Sequence, residues 1–319
     1  MAPPRRAHPV GQGRLWCEAA GRRNFSVKIL LTGRSGQLGW ELSRALAPLG
    51  EVVAPDRTQL DLARPDQIAA LVRSSRPDVI VNAAAYTAVD LAESEPDRAH
   101  LINAAAPGVL AEEARRCGAL FIHYSTDYVF DGTKSTPYVE DDTPNPINTY
   151  GRSKLAGENA VRSAGGPYLM LRTSWVYAAR GKNFLLTMRR LLRESGPVSV
   201  VSDQVGAPTS ASALAEATAL ILRKGAGALG DARGVYHATA SGSTSWHGFA
   251  SEIARLEGFD AAARIRPIPS SEYPTAALRP ANSRLSNKRL LDHFGVALPG
   301  WEKSLQACLE TLRDPGRTT

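Results

Sequence analysis

The sequence predicts an α/β protein built on an open sheet, and three observations carry that prediction. Short β-branched and aliphatic runs recur along the chain, with helical stretches between them. The first run breaks into a turn carrying Gly33, Gly36 and Gly39 and passes directly into a helix. A chain of 319 residues, 43% hydrophobic and 22% charged, is long enough to bury a large core in one or two domains.

The same composition excludes several classes. No run approaches the ~18 consecutive apolar residues of a membrane span. The net charge is +7, but +4 of it lies in residues 1–26, leaving +3 for the rest of the chain. That is no basis for nucleic-acid binding. Cys17, Cys117 and Cys308 are isolated and odd in number, which argues for reduced thiols and a cytoplasmic protein. The six histidines show no metal-ligand spacing.

Residues 1–26 have no hydrophobic period and no apolar core of a secretory signal, so they are expected to form a disordered basic arm. Val27–Leu31 is the first strand. A strand, a glycine turn and a helix together form the setting a dinucleotide pyrophosphate needs. Glycines let the backbone approach, and the helix start offers free N–H groups. Glu51–Asp56 is the second strand. Asp56, 17 residues beyond Gly39, falls where a carboxylate meets the adenosine ribose, and Arg57 beside it suits a 2′-phosphate. The pair points to both NADH and NADPH.

Leu60-Asp61-Leu62 begins the next unit, with Pro65 in the first turn of a helix. Asp61 has two readings, a cap for that helix or a contact to adenine. Pro77–Asn82 then counts as a fourth strand, followed by small residues at Ala83, Ala84 and Ala85 that leave room for a flat ring. Asp97–Cys117 reads as one long helix containing Asn103, and Ala119–Ser125 as a fifth strand. His123 inside it is expected to be a core histidine. The Thr126 hydroxyl at its end is placed to reach the same crevice.

Tyr150 and Lys154 are four apart and share one helix face. A cation about 4 Å from a phenol would lower its pKa by roughly 1–3 units from ~10, making a usable acid–base group. In the second half, Tyr168–Arg172 and Val198–Val201 read as strands, and Ala211–Arg223 and Trp246–Glu257 as amphipathic helices.

T-G-x-x-G-x-x-G at Thr32–Gly39, N-A-A at Asn82–Ala84, Ser125-Thr126 and Y-x-x-x-K at Tyr150–Lys154 resemble the extended short-chain dehydrogenase/reductase family. Five further motifs resemble its dTDP-4-dehydrorhamnose reductase branch: "GQLG" at Gly36–Gly39, "STDYVFDG", "RTSWVY" at Arg172–Tyr177, "DQVGAPT" at Asp203–Thr209 and "RPANSRL" at Arg279–Leu285. The resemblance implies a Rossmann-type, doubly wound parallel sheet within 27–175 and a smaller α/β substrate-binding lobe within 176–319. Segments of that lobe would return to the sheet.

It also implies reduction of dTDP-4-dehydro-L-rhamnose by NADPH or NADH. In that scheme Gly33, Gly36, Gln37, Leu38 and Gly39 form the pyrophosphate turn, and Asp56 holds the ribose. Asp61 and Leu62 lie near adenine, and Ala84, Ala85, Thr87 and Tyr124 flank the cofactor. Tyr150 is the acid, Lys154 binds the nicotinamide ribose, and Thr126 donates to the developing oxyanion. Thr126, Asp127 and Trp175 face the sugar nucleotide, with Asn183 and Arg279 as candidates for its diphosphate.

A homodimer with Mg²⁺ at glutamates of the contact belongs to the same resemblance. Glu41 could serve, but Thr209–Ser212 supplies hydroxyls where a second carboxylate is expected. Two other readings fit the fold. One is a sugar-nucleotide dehydratase or epimerase, although Asp127-Tyr128 lacks the Asp-Glu pair of a dehydratase. The other is a non-catalytic nucleotide-binding regulatory subunit.

Overall fold

In the computed structural model, residues 27–225, 229 and 233–314 are described, and the expectation for the arm 1–26 lies outside them. Strand β1 (Val27–Thr32) leads through the glycine turn to α1 (Gln37–Leu46), β2 (Gly50–Val53), α2 (Pro65–Ser75) and β3 (Val79–Asn82). Two short helices, α3 (Val89–Ala92) and α4 (Pro96–His100), lead through a π-turn at Leu101–Ala105 into α5 (Ala106–Cys117). Strand β4 (Leu120–Thr126), helix α6 (Thr149–Ala164) and strand β5 (Tyr168–Thr173) follow. Beyond them lie β6 (Val176–Tyr177), α7 (Phe184–Leu191), β7 (Val198–Val201), β8 (Val205–Gly206), β9 (Thr209–Ser210), α8 (Ala211–Arg223), β10 (Gly234–His237), β11 (Thr244–Ser245) and β12 (Ile265–Ile268).

The main sheet has the order β10-β5-β4-β3-β1-β2, every pair parallel. Alternation along the strands builds two cores. Ile29, Leu31, Val81, Ile122 and Tyr124 face α1 and α8. Leu30, Ile80, Phe121 and Met170 face α2, α5 and α6, against Ile68, Leu110 and Val161. A third core, with Leu185, Met188, Phe249, Ile253, Trp301 and Leu305, lies in the second half beside the small β7–β12 sheet. Strand β10 and helix α8, although late in the chain, belong to the main sheet and its flank.

Three expectations change. Leu60–Leu62 is not a strand, so Val79–Asn82 is the third strand and Leu120–Thr126 the fourth. The turn there is held by side chains: Asp56 Oδ1 accepts from the Thr58 and Gln59 N–H groups, and Asp61 Oδ1 from the Ala63 N–H. The second strand ends at Val53, leaving Asp56 in that turn. The long helix starts at Pro96 and is interrupted where Asn103 turns inward, its amide bonded to both the N–H and the carbonyl of Tyr86.

Candidate active site

The site lies where the strands of the main sheet end. Gly33 (φ +82°) makes the turn out of β1, and the Gly36 N–H bonds back to the Gly33 carbonyl at 2.9 Å. A Cβ on Gly39 would sit 2.0 Å from the Gly33 oxygen, and one on Gly33 would sit 2.7 Å from the Ala84 nitrogen. Those two glycines are therefore required by packing. The first α1 bond runs from the Trp40 N–H to the Gly36 carbonyl, which leaves the N–H groups of Gln37, Leu38 and Gly39 ahead of any intrahelical acceptor. This is a backbone cradle fit for a pyrophosphate.

Asn183, expected at the diphosphate, is committed elsewhere. It caps α7, its Oδ1 accepting from the Leu186 N–H, while Nδ2 donates to Gln37 Oε1 at 2.8 Å and to the Ala178 carbonyl. Its role is to hold Gln37 at the turn. Asp56 is exposed, its carboxyl held below the usual range chiefly by bonds from Thr58 and less by Arg34, which donates to the Ala54 carbonyl. Asp61 is also exposed, and its cap reading shifts: the N-cap position of α2 falls on Arg64. Leu62 packs on the core beside Leu60. Ala84 and Ala85 are half-buried beyond β3, and Thr87 is exposed.

Helix α6 carries the reactive pair. Asn148 caps it, accepting from the Gly151 N–H at 2.8 Å. The buried Glu158 takes Arg172 of β5 in a two-pronged pair at 2.8 and 2.7 Å, pinning the helix to the sheet. Tyr150 is half-buried, and its ring meets the Tyr128 ring edge-on at 5.5 Å. The Tyr150 phenol is shifted upward, against the expected direction. Burial raises it most, the Asp127 carboxylate raises it further, and the Thr126 hydroxyl opposes them.

The cation expected to lower it is anchored to β4 instead. Lys154 Nζ donates to the Tyr124 carbonyl at 2.6 Å and lies 3.3 Å from His123 Nε2. Burial also brings the amine down to about 8, with Glu158 opposing. A shared helix face thus sets the side of the helix but not the pairing.

Alternation explains Tyr124. Its phenol is turned to the opposite face of the sheet, 2.6 Å from the Thr218 hydroxyl in α8, and only its carbonyl reaches the site. His123 and Ser125 face α6 instead, a signal present in the strand pattern. Thr126 donates its proton to Asp127 Oδ1 at 3.0 Å and accepts from the Tyr128 N–H. Asp127 is buried, which pushes its carboxyl up to about 6 despite bonds from Ser283 and Thr126. The Thr126 proton is therefore free for a substrate oxygen only when Asp127 needs none.

Trp175 adopts φ +49° and stacks face to face on Trp246, ring centres 3.6 Å apart. Gly206 backs it so closely that a Cβ there would lie 2.6 Å from the indole. Trp246, read from sequence only as a helix start, belongs with it. Arg279 binds Asp90 through both terminal nitrogens at 2.9 and 2.6 Å, beside Tyr128. Glu41 is flanked by Arg44 and Arg180, and the hydroxyls of Ser210 and Ser212 bond one another at 2.9 Å. That donor set does not suit Mg²⁺, and no group of three or more candidate ligands gathers among the described residues.

The pattern of the RmlD substrate binding domain matches residues 27–314. The dTDP-4-dehydrorhamnose reductase of Burkholderia thailandensis is 53% identical over 297 residues, covering 90% of this chain and 99% of that protein. The Escherichia coli K12 enzyme of the same name is 46% identical over 294 residues, covering 90% and 98%. The crystal structure of the Bacillus anthracis dTDP-4-dehydrorhamnose reductase in complex with NADP superposes with a TM-score of 0.84 at 35% identity, covering 90% of this chain and 99% of that one. Similarity over nearly the whole of each relative leaves one assignment: the chain belongs to the dTDP-4-dehydrorhamnose reductase family.

Proposed function

We propose that the protein reduces the C4 ketone of dTDP-4-dehydro-L-rhamnose to dTDP-L-rhamnose, using NADPH or NADH. The observation that carries this reading is a phenol whose surroundings keep it protonated, set beside Thr126 and one helical turn from Lys154. A carbonyl reduction needs an acid, and a phenol with a raised pKa holds its proton until an alkoxide forms.

The bound nicotinamide cofactor supplies the hydride. Gln37, Leu38 and Gly39 would hold its pyrophosphate, Asp56 its adenosine ribose and Lys154 its nicotinamide ribose. Tyr150 passes its proton to the C4 oxygen as the carbon gains hydride, so the ketone becomes an alcohol and the phenol a phenolate. Burial and Asp127 make that phenolate costly, which favours its prompt reprotonation by a proton from solvent. Trp175, stacked on Trp246, would offer an apolar plate for the sugar nucleotide, and Arg279 would have to exchange Asp90 for its diphosphate to meet that charge.

No described helix is long and apolar enough to cross a membrane. We place the reaction in the cytoplasm, where sugar nucleotides are made. Mixing the protein with NADPH and the sugar nucleotide tests the reading. It predicts NADPH oxidation over many turnovers with a stoichiometric 4-hydroxyl product. Tight retention of the cofactor without net oxidation would instead identify an epimerase.

A further inference from the structure

Thr32, Asn82 and His123 are consecutive partners across β1, β3 and β4, so their side chains project from one face of the sheet in a single rung. All three are buried. The Thr32 hydroxyl donates to Asn82 Oδ1 at 2.6 Å, and the Ala84 N–H points to the same oxygen at 3.3 Å. An N–H can only donate, so the atom it meets is the amide oxygen. The amide nitrogen therefore faces His123 Nδ1, at 3.1 Å, as donor. His123 Nδ1 must then accept, and the proton of the neutral ring sits on Nε2. That N–H faces Lys154 Nζ at 3.3 Å, while Nζ itself donates to the Tyr124 carbonyl. An ammonium at this point would set donor against donor, whereas an amine would offer its lone pair.

We propose that His123 is a positioning residue for the reductase site: through the Thr32–Asn82–His123–Lys154 chain it aims the Lys154 nitrogen and disfavours its ammonium form. The inference rests on the reading of Lys154 as the group that meets the cofactor ribose. Burial, and then Lys154, keep the His123 ring neutral, which matches the tautomer the bonds require. The charged groups around this part of α6 are Glu158, paired with Arg172 and Arg162, Asp127 after β4, and Glu93 of the α3–α4 turn on the Thr149 hydroxyl. None is altered by changing His123.

The test is NADPH affinity, measured calorimetrically from neutral pH to beyond the lysine inflection. The ammonium favours the anionic cofactor, so Kd rises with pH through that inflection in the wild-type protein. His123→Asn keeps a partner for Asn82 but cannot reach Lys154. It is expected to weaken NADPH by about tenfold at neutral pH, the worth of the one charge-assisted bond that a misaimed Nζ no longer makes to the cofactor, and to raise the inflection because no N–H then opposes the ammonium. His123→Gln restores an acceptor beside Nζ without the fixed N–H. It should recover the affinity while moving the inflection upward by about half a unit or more.

Thr32→Val leaves the ring in place and frees the Asn82 amide, so its inflection should also rise. This variant decides the matter if the His123 variants do not fold. Wild-type affinity and an unmoved inflection in the folded variants would overturn the proposal, as would equal losses in His123→Asn and His123→Gln. Failure of the wild-type protein to bind NADPH would instead overturn the reductase reading itself.

Discussion

Gly151 passes so close to Tyr128 that a Cβ on it would lie 2.1 Å from the Tyr128 carbonyl oxygen. The first turn of α6, with Tyr150 in it, rests directly on the turn that follows β4. A methyl at this point has to push the two apart. Gly151→Ala is expected to cost about 1–3 kcal/mol of stability, the usual cost of overpacking. It should also lower kcat by displacing the phenol from Thr126. Thermal unfolding and kcat measured together check this. Unchanged kcat would show that Tyr150 is positioned by other contacts.

Tyr150→Phe keeps the ring and its edge contact with Tyr128 but removes the acid. Loss of a positioned general acid typically costs ~10²–10⁴ in rate. NADPH affinity should stay near wild type. Retention of more than about a tenth of wild-type kcat, short of even the low end of that range, would show that another group delivers the proton.

Lys154→Met removes a nitrogen that is spent on the Tyr124 carbonyl rather than on the phenol. The expected signature is weaker NADPH binding together with a lower kcat. Titration calorimetry beside steady-state kinetics separates the two. A fall in kcat alone would place Lys154 in proton transfer and away from the ribose.

Asp127 makes the protein less stable as pH rises. Its carboxyl is raised from 3.8 to about 6 by burial, so the folded state binds the proton more tightly than the unfolded chain. The penalty is absent below the ordinary carboxylate pKa, grows as pH rises toward 6 and is complete above it. It amounts to about 3 kcal/mol at most, at 1.36 kcal/mol per unit. Asp127→Asn should therefore raise the melting temperature at pH 8 and converge with wild type near pH 4, while activity falls. A variant melting at the wild-type temperature at both pH values would mean that Asp127 is better solvated than its burial indicates.

The exposed carboxylate of Asp56, with Arg34 and Arg57 nearby, should disfavour a 2′-phosphate. Asp56→Ala is then expected to move the ratio of kcat/KM values toward NADPH over NADH. An unmoved ratio would place the ribose elsewhere.

The parts of the candidate site that are legible in the sequence are the local ones. The glycine turn follows from residue type, Thr126 falls at a strand end, and Tyr150 and Lys154 share a helix, because each depends on near neighbours in the chain. Leu60–Leu62 misleads for a local reason as well. Two leucines flanking Asp61 suggest the start of a new unit until side chains such as Asp56 and Asp61 are seen to close a turn there. Asn183 misleads for a different reason. A polar residue before a helix can cap it or meet a ligand, and only its bond to Gln37, 146 positions away, separates the two.

The sequence by itself determined the α/β fold, the cradle at the start of α1 and the residue types gathered at the strand ends, since these follow from hydrophobic period, glycine conformation and chain order. Which groups act on one another was decided by tertiary structure alone. Lys154 is held by β4, Tyr150 is governed by burial and Asp127, and Trp175 stacks on Trp246. Burial and contact are properties of packed neighbours distant in the chain. A lysine four residues from a tyrosine therefore shares its helix face without setting its pKa.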